Sequence, residues 1–318
     1  MPRPLPWRDS VLNMTRNTPD METTQRCGFA AIVGRPNVGK STLLNRLLRQ
    51  KISITSKKPQ TTRHQLLGIR TTADAQVMYV DTPGIHGKQA RAINRYMNRS
   101  AQAVLRDVDV ILFVVDRTEF TADDELVAEL VDKSDAAVIV VVNKIDLLKD
   151  KKRLLPQLER LQAMFPEADL VPLSAESGDN LDTLEALVAK RLPTGPFLFP
   201  EEQLTDRSER FLVAEIVREK MMRQLGDEVP YALTLQVDRF EEGEKIVHID
   251  ATAFVERDAQ KMILIGKNGD RIKRIGSDAR RDIEKLLDKQ VMLRLWVKVK
   301  SGWSDDERAL KSLGYDDV

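Results

Sequence analysis

Eight residues, Gly34-Arg35-Pro36-Asn37-Val38-Gly39-Lys40-Ser41, set two glycines, a lysine and a hydroxyl at the GxxxxGK[ST] spacing of a phosphate loop. The flanking segments suit that chemistry: Cys27 to Val33 reads as a short buried strand, and Thr42 to Arg49 carries leucines at helical spacing. A strand feeding a glycine turn that opens a helix leaves unpaired backbone N–H groups facing an incoming phosphate. Lys40 adds a point charge between the outer phosphates, Ser41 a hydroxyl ligand for Mg²⁺, and Gly39 keeps Cβ away from the bend around the anion.

The loop binds phosphate without choosing a base. Asn143-Lys144-Ile145-Asp146, after the apolar run Ala136 to Val142, supplies that choice. A carboxylate held at a strand end accepts two hydrogen bonds from guanine N1–H and the 2-amino group, whereas adenine would leave Asp146 desolvated and unpaired. Asn143 either holds the loop or meets N7, and the alkyl stem of Lys144 can cover the ring. A further apolar strand precedes Ser174-Ala175-Glu176, whose backbone can donate to guanine O6. Between these segments, Asp81-Thr82-Pro83-Gly84 follows the apolar Val77 to Val80. Asp81 can hold Mg²⁺ through a water, and Gly84 can bring its backbone N–H to a γ-phosphate. The order is that of a nucleotide-binding α/β fold, with ligands at the C-terminal ends of parallel strands.

GRPNVGKS, DTPG, NKID and SAE together resemble the translation-factor-like branch of P-loop GTPases over residues 27 to about 190. Within that span, Lys57-Lys58-Pro59-Gln60-Thr61-Thr62-Arg63-His64 is similar to the first switch region of the Era family. The likeness implies a threonine that caps Mg²⁺ and the γ-phosphate in the triphosphate state: Thr62, with Thr61 the alternative, since sequence alone does not separate adjacent threonines. It implies a catalytic set of Lys40, Thr62 and Gly84, a metal set of Ser41, Thr62 and Asp81, and GTP and GDP as the nucleotides. Many small GTPases place a water-orienting glutamine just past this glycine. Here Ile85 and His86 follow Gly84, so the resemblance implies slow intrinsic turnover, and His86 reads as an exposed loop histidine rather than a base. No arginine finger is assignable. Asn37 matches a position where some superfamily members help bind a monovalent cation, which leaves potassium stimulation open.

A chain of 318 residues exceeds the usual single-domain size, and the nucleotide-binding reading uses about half of it. Residues 1–26 show no repeating apolar pattern and read as a flexible extension without the apolar core of a signal peptide. No stretch approaches the length of a membrane span. A single cysteine, Cys27, excludes an intrachain disulfide framework, and its apolar neighbours favour a buried strand position. Three scattered histidines and one cysteine give no zinc-site spacing. After a helical pattern from Leu181 to Arg191, prolines and Gly195 mark a linker over 192–206, with Phe197 and Phe199 able to pin it to a surface.

Residues 207–225 resume helical periodicity, and Tyr231 to Val237 and Ile246 to Val255 alternate as strands around an acidic turn containing Glu241, Glu242 and Gly243. Ile263-Leu264-Ile265-Gly266-Lys267-Asn268-Gly269 then makes a tight turn between helices, the second carrying Ile272, Ile275, Ala279 and Ile283 at helical spacing. Two glycines there let a single-stranded backbone approach closely. The order helix-strand-strand-helix-GxxG-helix-strand resembles the type II K-homology RNA-binding module over about residues 205 to 301. It includes a closing strand, Val291 to Val299. The formal net charge is only +1, but between Lys261 and Lys300 twelve Lys or Arg oppose five Asp or Glu. Lys261, Lys267, Arg271, Lys273 and Arg274 flank the turn and suit a phosphate backbone. Few aromatics lie near it, so base stacking is not indicated.

The expected architecture is α/β: a P-loop GTPase domain with a mostly parallel sheet at 27–191, the linker at 192–206, a smaller α+β type II K-homology domain at 207–303 and a C-terminal tail at 304–318. Both halves together resemble the Era family of bacterial ribosome-assembly GTPases. The resemblance implies binding near the 3′ end of small-subunit ribosomal RNA, a role in maturation of the 30S subunit, and loose association of a cytoplasmic protein with the inner membrane. GTP and Mg²⁺ are expected to order residues 55–64 and 81–90. A reading from another class is a non-catalytic GTP-dependent scaffold that recruits assembly or membrane partners. A tRNA-modifying partner is disfavoured, because its cysteine-bearing C-terminal site is absent.

Overall fold

Alternation along the first strand sets up a core on two sides of a sheet. In β1 (Arg26–Val33), Phe29, Ala31 and Val33 enter one apolar cluster, and Ala30 and Ile32 enter the other. The computed structural model describes residues 24–56, 58, 60–87, 91–225 and 233–315. Its larger sheet adds β2 (Leu66–Thr71), β3 (Ala75–Asp81), β4 (Val110–Asp116), β5 (Ala137–Asn143) and β6 (Asp169–Pro172), in the order β2-β3-β1-β4-β5-β6. Only β2 runs antiparallel to its neighbour; the other pairings are parallel.

Helices α1 (Lys40–Leu47) and α5 (Leu181–Arg191) cover one face through Leu43, Leu44, Leu47, Leu184 and Val188. On the opposite face lie α2 (Ala92–Val104), α3 (Ala122–Val131) and α4 (Leu155–Met164). Strands covered on both sides lose alternation and become continuous apolar runs, as in Val110 to Val115 and Val138 to Val142. Cys27 is buried in this core, and burial pushes its thiol up to about 11. Where β1, β3 and β5 end, Gly34, Asp81 and Asn143 meet at one edge of the sheet.

The second domain runs α6 (Glu209–Gln224), β7 (Thr234–Glu242), β8 (Ile246–Val255), α7 (Asp258–Ile265), α8 (Asp270–Leu287) and β9 (Gln290–Val299). Strands β7 and β8 pair antiparallel, and β8 and β9 parallel. The Ser208 side chain accepts the Phe211 N–H and starts α6. Four-residue steps at Ile275, Ala279 and Ile283 bury one stripe of α8 in a cluster with Val213, Val217 and Met221 of α6 and the strands.

Three expectations change. Arg26, assigned to the N-terminal extension, pairs with Ala75 inside β1; residues 1–23 of that extension lie outside the described residues. Glu241 and Glu242 are not in a turn but extend β7 opposite His248 and Val247. The strand's exposed end tolerates them because Arg239 and Lys289 pair with Glu241 and Glu242. The linker is pinned, as its phenylalanines allowed: Phe197 and Phe199 pack on the core, Leu198 and Phe199 donate to Gln76 Oε1 at 2.8 and 2.9 Å, and Thr205 Oγ1 donates to the Leu67 carbonyl at 2.6 Å. Finally, the segment expected as a tail carries a short helix, α9 (Glu307–Ser312), capped by Asp306. Trp303, Leu310 and Tyr315 bury against Ala92, Ile93, Tyr96 and Met97 of α2. Their wide spacing carried no periodic signal. Of the expected segments, Lys57, Pro59, residues 88–90, Tyr231, Ala232 and residues 316–318 also lie outside the described residues.

Candidate active site and nucleic-acid interface

The phosphate loop has no room for side chains at its glycines. A Cβ on Gly34 would lie 2.3 Å from the Val114 carbonyl oxygen, and one on Gly39, whose φ is 103°, 2.3 Å from Asn143 Nδ2. A Cβ on Gly84 would meet the Pro36 nitrogen at 2.7 Å. Asn143 is the pin: Nδ2 donates to the Val38 carbonyl at 2.8 Å, while Oδ1 accepts the Lys144 and Ala175 N–H groups at 2.7 and 2.9 Å. Of its two expected roles, the structure displays the loop-holding one. The phosphate, base and SAE loops are thereby locked to one another.

Lys40 is 6% exposed, and its Nζ donates to the carbonyls of Gly34 and Arg35 at 3.0 and 2.9 Å. Burial lowers its pKa to about 8, against the pull of Asp81. Three hydroxyls converge on Asp81 Oδ2: Ser41 Oγ at 2.8 Å, Ser53 Oγ at 3.1 Å and Thr62 Oγ1 at 3.3 Å. Ser41 Oγ and Thr62 Oγ1 lie 2.7 Å apart. Thr61 Oγ1 turns instead to the Lys58 carbonyl at 2.6 Å, which separates the adjacent threonines. Asp81 is fully buried, and burial raises its pKa, with Lys40 the largest opposing influence. Its Oδ1 is buried without a partner among the described residues. A buried carboxylate with one oxygen bonded to three hydroxyls and the other left over fits a hard cation such as Mg²⁺. Among the described residues no group of three His, Cys, Asp or Glu side chains is placed to hold a metal, so a softer, all-side-chain site is not offered.

At the base end, Lys144 adopts a left-handed φ of 66° and its Nζ donates to Asp116 Oδ2 at 2.7 Å. Ser174 Oγ donates to Asp146 Oδ1 at 2.6 Å and orients the exposed carboxylate. The Arg46 guanidinium donates to the carbonyls of Ala175 and Glu176 and steadies the SAE loop. A cleft of about 630 Å³ is lined by Asn37, Lys40, Ser41, Thr42, Thr62, Gly84 and Glu176, among others. Ile85 is fully buried, as a hydrophobic replacement for glutamine requires. His86 is not exposed as expected: it is 7% exposed, held by Asn98 Nδ2 donating to its carbonyl at 2.9 Å. Anchoring Ile85 in the core draws its neighbour beneath α2.

The second domain grips the first switch segment. Glu219 of α6, fully buried, accepts the Thr55 N–H at 3.0 Å and Lys51 Nζ at 2.6 Å. Arg218 donates to the Thr61 carbonyl. Arg63 is fully buried and donates to the Leu233 carbonyl at 2.6 Å, and Tyr315 stacks on His64 with ring centroids 4.4 Å apart. Arg223 also reaches the nucleotide cleft. Sequence reading missed it, because it stands 168 positions beyond its partner Thr55 and nothing in its local pattern marks it.

The glycine turn is built differently. Gly266 and Gly269 have φ of 77° and 78°, and Asn268 is left-handed at 54°. Lys267, Asn268, Lys273 and Arg274 are exposed, while Lys261 and Arg271 are half-buried. Arg271 ties the two helices by donating to the Ile263 carbonyl. The turn therefore presents cations at the N-terminal end of α8, where helix geometry favours anions.

Fold and site together define a guanine-nucleotide P-loop switch joined to a K-homology module. A family model described as 50S ribosome-binding GTPase matches residues 29–144, and one described as KH domain matches residues 228–304. GTPase Era of Pseudomonas putida (strain W619) is 59% identical over 305 residues, covering 96% of this chain and all of that protein. GTPase Era of Pseudomonas aeruginosa (strain LESB58) is 57% identical over the same length and coverage. The crystal structure of a tyrosine-to-alanine variant of Aquifex aeolicus Era bound to GDP·AlF4⁻ superposes with a TM-score of 0.89 at 40% identity, covering 92% of this chain and 99% of that one. An Era structure in complex with MgGDPNP and nucleotides 1506–1542 of 16S ribosomal RNA matches with the same values. The chain belongs to the Era family of GTPases, which are GTP-hydrolysing enzymes.

Proposed function

We propose that this chain hydrolyses GTP to GDP and phosphate at the cleft beside Lys40, and that its second domain binds the 3′ region of small-subunit ribosomal RNA and assists maturation of the 30S subunit. The observation that carries the enzyme reading is the convergence of Ser41 and Thr62 on buried Asp81 beneath a loop walled against side chains. In this reading the backbone N–H groups of Gly34 and of Asn37 to Thr42 and the Lys40 ammonium bind the phosphates, and Gly84 offers its N–H to the γ-phosphate. Asp146 reads the guanine edge, with Asn143 holding the loop, the Lys144 stem along the ring and Ser174, Ala175 and Glu176 framing O6. Ser41, Thr62 and Asp81 would hold Mg²⁺, which when bound neutralises charge on the phosphate oxygens. With Ile85 in place of glutamine, water is oriented by backbone or by a partner, and intrinsic turnover is slow. Asn37, exposed on the cleft rim, is the residue through which potassium would stimulate turnover. Comparing rates in potassium and sodium tests that part.

The RNA half of the reading is supported by the glycine turn and its cations Lys261, Lys267, Arg271, Lys273 and Arg274. It also draws on the RNA segment held by the related Era structure. Function divides along the chain at the strap 192–206, between a nucleotide domain at 26–191 and an RNA domain at 207–303. Among the described residues no helix is long and apolar enough to cross a membrane. Association with the inner membrane would then be peripheral, from the cytoplasmic side. Crosslinking bound RNA with nucleotide-resolution mapping tests the partner: sites near the small-subunit 3′ end are expected, and enrichment of transfer RNA or DNA would overturn it. Phosphate release stimulated by ribosomal subunits separates this reading from a scaffold that binds GTP without turnover.

A further inference from the structure

We propose that Arg223, carried by the first helix of the RNA-binding half, closes over the nucleotide cleft and holds the α-phosphate of the bound guanine nucleotide. The inference rests on the reading of that cleft given above. Arg223 lines it together with Thr55, Ser56 and Glu176. Thr55 also borders, with Thr42 and Glu176, the adjoining groove. It therefore lies between the helix start that meets the phosphates and the loop that meets the base. In a nucleotide spanning those two points, that interval is the sugar and the first phosphate.

Arg223 is aimed there by a fixed platform. Its Nη2 donates to Thr55 Oγ1 at 3.1 Å and to Glu219 Oε1 at 2.9 Å, and both Nε and Nη2 reach the Thr55 carbonyl, at 3.3 and 3.2 Å. Glu219, one helical turn earlier, is fully buried and bonded to the Thr55 N–H. The Arg223 side chain is 47% exposed, and its bonds among the described residues use Nε and Nη2, leaving Nη1 over. A guanidinium is planar, permanently charged and matched to phosphate oxygens, so the unspent Nη1 is suited to a nucleotide anion. The nucleotide site would then be completed by two domains, and release would require the RNA-binding half to lift. Because the α-phosphate is common to both nucleotides, the contact acts on GDP and GTP alike.

The test is stopped-flow release of fluorescent GDP and GTP analogues from the full chain. Arg223→Gln is expected to speed release of both by about tenfold, the equivalent of about 1.4 kcal/mol. Arg223→Lys, which keeps the charge but not the fork, should fall between that variant and wild type. Arg281→Gln removes a cation of α8 from the neighbouring polar groove and should leave release unchanged. Retained binding of a ribosomal RNA segment shows that the variants are folded. Wild-type release from Arg223→Gln, acceleration for GTP only, or equal acceleration in Arg281→Gln would each overturn the proposal. A wild-type chain that fails to bind guanine nucleotides would instead overturn the reading of the cleft.

Discussion

The loop Gly34 to Ser41 and the turn Gly266 to Gly269 both present glycine to phosphate, yet the first is walled and the second stands open. A Cβ at Gly34 or Gly39 would collide with Val114 or Asn143 at 2.3 Å, whereas one at Gly269 finds nothing within 4 Å among the described residues. Gly266 is intermediate, closing on the Arg271 Cβ at 2.7 Å. In the first loop glycine is demanded by space as well as by φ; at Gly269 it is demanded by φ alone. The difference follows from the tasks. A site that aligns a phosphate for hydrolysis benefits from donors that need no reorganisation, and buried pins such as Asn143 supply that rigidity. A surface that tracks a flexible RNA backbone benefits from access and from mobile cations.

Replacing Gly39 by alanine should break the walled loop hardest. We expect nucleotide affinity to fall by a factor of about one hundred, roughly 2.7 kcal/mol, with RNA binding retained. Equilibrium titration with a fluorescent GDP analogue measures it, and near-wild-type affinity would mean that the wall yields. Next in size is Asp146→Asn, which changes the donor–acceptor pattern at the base. GTP affinity should drop by about tenfold or more while xanthine nucleotides gain. An unaltered preference for GTP over ATP and XTP would remove Asp146 from the base site.

Changes at the open turn should be smaller and should leave GTP binding intact. The double substitution Lys267→Asp and Asn268→Asp keeps both glycines and sets like charge beside the RNA backbone. RNA affinity should fall about tenfold, and the slope of log affinity against log salt should shrink by about one. A folded double variant with wild-type affinity and slope would take the turn out of the interface. Smallest is Gly269→Ala: with no neighbour to meet, the cost is backbone strain alone, about 1 kcal/mol of stability. Urea denaturation measures it, and a loss as large as that of a core truncation would show the turn to be walled after all.

What was legible in the sequence follows the same division. The phosphate, base and Asp81 motifs stood out because a rigid anion site fixes residue types at fixed spacing, and the structure brings those residues to one sheet edge. The glycine turn was legible through two glycines and an excess of cations. Features built by long-range packing were not. His86 was expected in solvent, but its burial depends on Asn98, twelve residues later on α2. The C-terminal residues Trp303, Leu310 and Tyr315 have no periodicity of their own and become a core only against α2. The pair Thr61 and Thr62 separated only when Ser41 and Asp81 were in place around them. Arg223 could not have been found from its neighbours, since its partner lies in the other domain.

The nucleotide cleft and the RNA surface should act as one coupled unit. Their physical connection runs through Lys51, Thr55, Thr61, Arg63 and His64, held by Glu219, Arg218, Leu233 and Tyr315 of the second half. The most direct measurement is the affinity of the full chain for a small-subunit ribosomal RNA 3′ segment, determined in parallel with GDPNP and with GDP. RNA binding should be tighter with GDPNP by at least about fivefold. The same factor should separate GDPNP affinities measured with and without RNA, because such coupling is reciprocal. Equal RNA affinities in the two nucleotide states would contradict it.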